Sequence, residues 1–253
     1  MDPSAESGEH RLTSAELQAR FEQFTQQLST DTTISDQLTA WLDSHRRWQS
    51  LWASQRATAQ PNAFELLIPN PASADARRWV HPVAGEAPEL DAWRTKWQAG
   101  PRDARDRLST AFVRILSLVQ SNPDSFADGC RELEGAAGPD GIPLAAFTPA
   151  LASLDPGRYS VLCDAWMPTI RQYDAAASLL KGASSYPELN SLAIRMLTAA
   201  EGEKSKSQLL ATAPMAVRFG MFCRWLTRTT ATGGPTPRFD VTQKKYKDWP
   251  PMW

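Results

Sequence analysis

Sulfur and imidazole are scarce in this chain of 253 residues, which holds three cysteines and three histidines. Cys130, Cys163 and Cys223 stand far apart in sequence, and their odd number excludes a disulfide framework. His10, His45 and His81 have no carboxylate or second histidine at metal-ligand spacing, so no clustered zinc site is expected. His45 falls on an apolar helical stripe and reads as a packed or hydrogen-bonded residue. Uncharged apolar runs of about 18 residues are missing, which argues against a membrane span. The segment Met1 to Arg11 has no apolar stretch of the kind a secretory signal needs, so a cytoplasmic, reducing compartment is the expectation. G-x-S-x-G, H-E-x-x-H and G-x-x-x-x-G-K-[ST] are absent too. Glu132 and Glu134 are two apart on a helix and do not share a face, so they make no carboxylate pair. The chain is therefore expected to be non-catalytic, without cofactor or metal.

What is present suits a folded protein. Hydrophobic residues make up 42% and charged residues 22%, with a formal net charge of −1, which excludes wholesale disorder. The charge is uneven. Residues 201–253 carry Lys204, Lys206, Arg218, Arg224, Arg228, Arg238, Lys244, Lys245 and Lys247 against Glu201, Glu203, Asp240 and Asp248, an excess of +5 that leaves −6 for the rest. A cationic end on an acidic chain can attract a polyanion, although the same residues also read as ordinary solvated helix faces.

Periodicity points to an all-α, multi-helix bundle. Thr13-Ser14-Ala15-Glu16 has capping-box spacing, followed by Leu17, Phe21, Phe24 and Leu28 at helical steps. Ile34, Leu38, Trp41, Leu42, His45, Trp48 and Trp52 line a second helix reaching about Ala57. Pro61, Pro69, Pro71, Pro82 and Pro88 then exclude a long helix. A short helix carries Leu90, Trp93 and Trp97, and another begins near Pro101. A further start, at Asn122-Pro123, has an Asn cap with proline at the first helical position. The run Gly135 to Pro143 (GAAGPDGIP) lacks the lysine and preceding strand of a phosphate loop and reads as a plain interhelical connection. Leu144 to Leu154 is helical but expected to bend or stop near Pro149. Asp174 and Tyr186-Pro187 mark the next starts, and a last long helix spans about Ser207 to Thr230, kinked or restarted at Pro214. These signals divide the chain into a helical hairpin (1–60), a proline-rich connector with one short helix (61–100), a helical bundle (101–232) and an extended basic tail (233–253).

Ten tryptophans stand out. Trp41, Trp48, Trp52, Trp93 and Trp97 lie at helical spacing and read as core. Trp48 and Trp52, flanked by Arg46, Arg47 and Arg56, are also the candidates for an interface anchor or a base-stacking platform.

Two segments carry a family resemblance. Leu154-Asp155-Pro156 with Arg158-Tyr159, and Tyr186-Pro187 with Leu189-Asn190, lie within Ala145 to Leu197. That stretch resembles a helical region ahead of the motor domain in McrB-like restriction proteins. The end of the chain, Lys245-Tyr246-Lys247-Asp248-Trp249-Pro250-Pro251-Met252-Trp253, looks like the strap by which such chains enter their AAA+ GTPase module. The resemblance implies a target-recognition module for modified or foreign DNA in bacterial antiviral defence. It implies a GTPase motor downstream of Trp253, a nuclease subunit as partner, and homo-oligomerisation through that motor. On this reading Lys204, Lys206, Arg218, Arg224, Arg228, Lys244, Lys245 and Lys247 contact DNA phosphates. The alternative is a helical adaptor that recognises a protein, with the tryptophan stripe as its anchor.

Overall fold

The computed structural model describes residues 11–55, 81–202, 210 and 212–231, and among them there are helices and turns but no strand. Helix α1 (Ser14–Thr30) starts at the expected capping box: the Thr13 amide donates to Glu16 Oε2 at 2.8 Å, and the Glu16 amide donates to Thr13 Oγ1 at 3.2 Å. Asp31 alone separates it from α2 (Thr32–Gln55). Beyond the 56–80 stretch, which lies outside the described residues and holds half of the expected proline-rich connector, a 3-10 turn (Pro82–Glu86) leads into α3 (Pro88–Ala99). Helices α4 (Arg102–Ser121), α5 (Phe126–Ala137), α6 (Leu144–Leu154), α7 (Met167–Tyr173), α8 (Tyr186–Glu201) and α9 (Met215–Ala231) complete the order. The extended tail expected over 233–253 also lies outside the described residues.

Three local expectations are corrected. Asn122 does not cap a helix backbone; its amide nitrogen donates to Ser125 Oγ at 2.9 Å, and a 3-10 turn over Pro123–Ser125 precedes α5. Helix α6 does not stop at Pro149 but runs through it. Every residue from Leu144 to Ser153 is buried, and packing on all sides outweighs the one backbone bond that proline removes. Asp174 caps a 3-10 turn (Ala175–Leu179) through the Ala176 amide, not an α-helix.

Among the described residues one apolar core runs from Leu12 to Leu226 and includes the inner faces of α1 and α2. Phe21 meets Phe222 edge-on with centroids 5.0 Å apart, and Phe24 lies 5.8 Å from the same ring. Trp41 of α2 stacks on Trp166 at 6.2 Å, and both contact Gly220 of α9, where an added Cβ would collide with the Trp41 ring. Glycine at 220 thus sets how closely α9 can approach α2.

The residues that carry the family resemblance meet in a buried polar knot. Asn190 Oδ1 accepts the Ser160 amide at 2.7 Å while its Nδ2 donates to the Arg158 carbonyl at 2.9 Å. The Tyr186 hydroxyl donates to the Ser160 carbonyl at 2.7 Å, and Pro156 offers its carbonyl to the Ala216 amide at 2.9 Å. An irregular buried segment has no ladder for its backbone groups, so side chains from α8 supply the partners.

Candidate functional site

The described arginines of the expected phosphate-binding set are committed within the protein. Arg224 is buried; its Nε lies 3.0 Å from Glu86 Oε1, and its Nη1 donates to Gln37 Oε1 at 2.9 Å. Arg228 Nη2 shares the same Glu86 oxygen at 2.6 Å. Arg218 Nε sits 3.0 Å from Glu201 Oε1 with both side chains largely covered. All three guanidinium groups are engaged inside the fold, two of them sharing the single Glu86 carboxylate, and they form no open cationic stripe along α9. Lys204, Lys206, Lys244, Lys245 and Lys247 lie outside the described residues.

Trp48 and Trp52 are core residues and present no ring face to a base or a partner. Trp48 is fully enclosed, and Trp52 is 6% exposed with its indole nitrogen donating to Gln120 Oε1 at 3.1 Å. Of the arginines that flank them in sequence, Arg46 is exposed and Arg47 half-buried at other positions around α2, and Arg56 lies outside the described residues.

Instead, the structure opens a cleft of about 850 Å³ on another side of the molecule. Glu89, Ala92, Trp93 and Lys96 of α3 form one wall. The glycine-rich run supplies a second through Pro139, Asp140, Gly141, Ile142 and Pro143, and α7 contributes Met167, Pro168 and Arg171. Sequence reasoning missed these residues; its one signal was the GAAGPDGIP run, read as a plain connection. The loop is pinned to α3 by the Trp93 indole, which donates to the Gly141 carbonyl at 2.7 Å, and by Lys96 with Asp140 at 3.3 Å. At the opposite edge Glu134 Oε2 accepts the Ser184 amide at 2.8 Å. Gly182, with φ of +73°, closes this lip in the left-handed region that favours glycine. Leu179, 84% exposed, immediately precedes Leu180, which lines the cleft.

Electrostatically the cleft is mixed. Glu89 Oε1 accepts the Asp164 amide at 3.3 Å. Burial pushes the Glu89 carboxyl above the ordinary range, with a smaller upward push from Asp164, while backbone amides pull it down. Burial also raises Asp164, opposed by the nearby Arg171 guanidinium. Half-buried Glu89 and exposed Asp164 thus line the cleft together with Lys96, Arg171 and Lys181.

A second notable cluster is the buried histidine pair. His45 Nε2 and His81 Nε2 are 3.1 Å apart, and the Val83 amide donates to His81 Nδ1 at 3.1 Å. Burial lowers the His45 imidazole to about 4; burial, and then the charge of His45, push His81 well below its usual value. His45 is packed and hydrogen-bonded, as its stripe position predicted.

Among the described residues no group of three or more His, Cys, Asp or Glu side chains converges as a metal site. Cys130, Cys163 and Cys223 are free, buried and separate, and burial raises all three thiols, Cys130 to about 12. No helix among the described residues is long and apolar enough to cross a membrane. The chain matches no protein-family model, no curated protein and no solved structure.

Proposed function

We propose that this chain is a non-catalytic recognition module, a helical adaptor that receives a protein segment in the cleft between α3, the 138–143 loop and α7. One observation carries the reading. The open concave surface joins an indole wall, apolar residues from several elements and mixed charges, the composition of a protein-binding pocket. Exposed Leu179, next in sequence to the lining residue Leu180, would extend that apolar contact. Within the resemblance to McrB-like systems, the segment belongs to the assembly's AAA+ GTPase motor or its nuclease subunit. Titration of the chain against each purified subunit by calorimetry tests this. Binding is expected for one of them, with at least tenfold loss for Leu179→Glu/Lys96→Glu/Arg171→Glu, a rim variant that leaves the core intact. Unchanged affinity in that variant, or no binding to either subunit, removes the reading.

DNA recognition is the second reading, favoured by the excess of lysine in residues 203–253. Since Arg218, Arg224 and Arg228 are already paired, the lysines at 204, 206, 244, 245 and 247 would have to make the phosphate contacts. Fluorescence anisotropy with duplex DNA, with and without cytosine modification, is expected to show affinity falling with salt. The log–log slope should shrink by about three on Lys244→Ala/Lys245→Ala/Lys247→Ala. No binding at low salt excludes it.

A further inference from the structure

His81 and the six residues after it form a strap, the Pro82–Glu86 turn closed by Ala87. Three contacts fasten it. His81 meets His45 of α2, Val83 is fully buried, and Glu86 holds Arg224 and Arg228 of α9.

The first of these contacts has a fixed proton count. The Val83 amide donates to His81 Nδ1, so that nitrogen carries a lone pair and the neutral ring bears its proton on Nε2. That proton points at His45 Nε2, 3.1 Å away, which must then accept. The His45 proton is left on Nδ1, which is buried and has no hydrogen-bond partner. One proton lies between the two facing nitrogens. A second, on either ring, would set an N–H against an N–H or displace the Val83 amide. The added charge would be buried against Trp41, whose ring meets His81 edge-on at 4.5 Å.

No charged neighbour stands ready to compensate. From α2, Asp43 and Arg46 pair with each other on the exposed side, and Arg47 already has a partner. Glu86 is committed to α9, and Glu89 of α3 accepts the Asp164 amide. Helix α6, which packs against both α2 and the strap, has no titratable side chain.

We propose that the His45–His81 pair is a proton-operated latch: neutral, it holds the 81–87 strap on the body, and protonation opens the strap while the bundle stays folded. The open state takes up protons near the ordinary imidazole pKa of about 6.5, and the closed state does so only far lower. Opening is therefore promoted as pH falls below about 6.5, by roughly tenfold per pH unit for each proton taken up.

Native-state amide exchange on the full chain tests this between pH 7.5 and 4.5, after correction for intrinsic rates. The protection factor of Val83 is expected to fall by at least about fiftyfold from pH 6.5 to 4.5, the change for one proton, and further when both rings take one up, while Ala193 and Leu197 of α8 hold theirs. In His45→Gln/His81→Asn the amide oxygens at 45 and 81 still accept hydrogen bonds but neither side chain titrates, and the profile should be flat. A loss shared equally by α8, or an undiminished slope in the double variant, overturns the latch. Imidazole 15N shifts of the unaltered protein give a second readout: Val83 protection lost while both rings stay neutral overturns it as well.

Discussion

The α9 face and the cleft carry charges of similar number and opposite fate. On α9 the guanidinium groups of Arg218, Arg224 and Arg228 turn inward to Glu86 and Glu201 and serve as joints between helices. Around the cleft, Lys96 and Asp140 are more than half exposed, and Glu89 and Asp164 border open space. A tally of basic residues by sequence region treats these settings alike. Only the partner, often more than a hundred positions away, decides whether a charge is available to a ligand or consumed by the fold.

Substitutions should separate the two faces. Glu86→Gln removes the carboxylate shared by two arginines and leaves the Arg224 charge buried without it, an expected loss of about 3 kcal/mol in denaturant unfolding. Arg218→Ala breaks a largely covered but single pair, and about 1 kcal/mol is expected in the same measurement. At the cleft, Glu89→Gln/Asp164→Asn should raise stability slightly. Both carboxyls have folded pKa values above the ordinary range, so their ionisation opposes folding, and the penalty appears as pH rises through that range. The variant's urea midpoint is therefore expected to exceed that of the parent at pH 7 and to converge with it below pH 4. Lys96→Ala, on an exposed side chain, should move stability by less than about 0.5 kcal/mol. If Lys96→Ala proves as costly as Glu86→Gln, the distinction between structural and available charge collapses.

Local order was well written in the chain. Thr13 and Glu16 announce α1, Pro88 and Pro101 stand where α3 and α4 begin, and the stripe from Ile34 to Trp52 names the buried face of α2. Each of these signals acts within about four residues, the reach of a helical turn. The candidate site was not legible for the same reason. Its walls come from α3, the end of α5, the 138–143 loop, α7 and residues 180–182, which only the tertiary fold brings together. Trp48 and Trp52 illustrate the limit from the other side. Flanking arginines made them look available, yet residues adjacent in a helix point about 100° apart and report little about each other's surroundings. The His45–His81 pair, 36 positions apart, follows the same rule.

The three enclosed thiols give the molecule an internal clock. Cys130, Cys163 and Cys223 sit at fully covered positions on α5, just before α7 and on α9, and their raised pKa values keep them as unreactive thiols at neutral pH. A soluble alkylating reagent can therefore mark a chain only after that part of it has come apart. The order in which the three sites are labelled would then record, with no engineered probe, which end of the shared core gives way first.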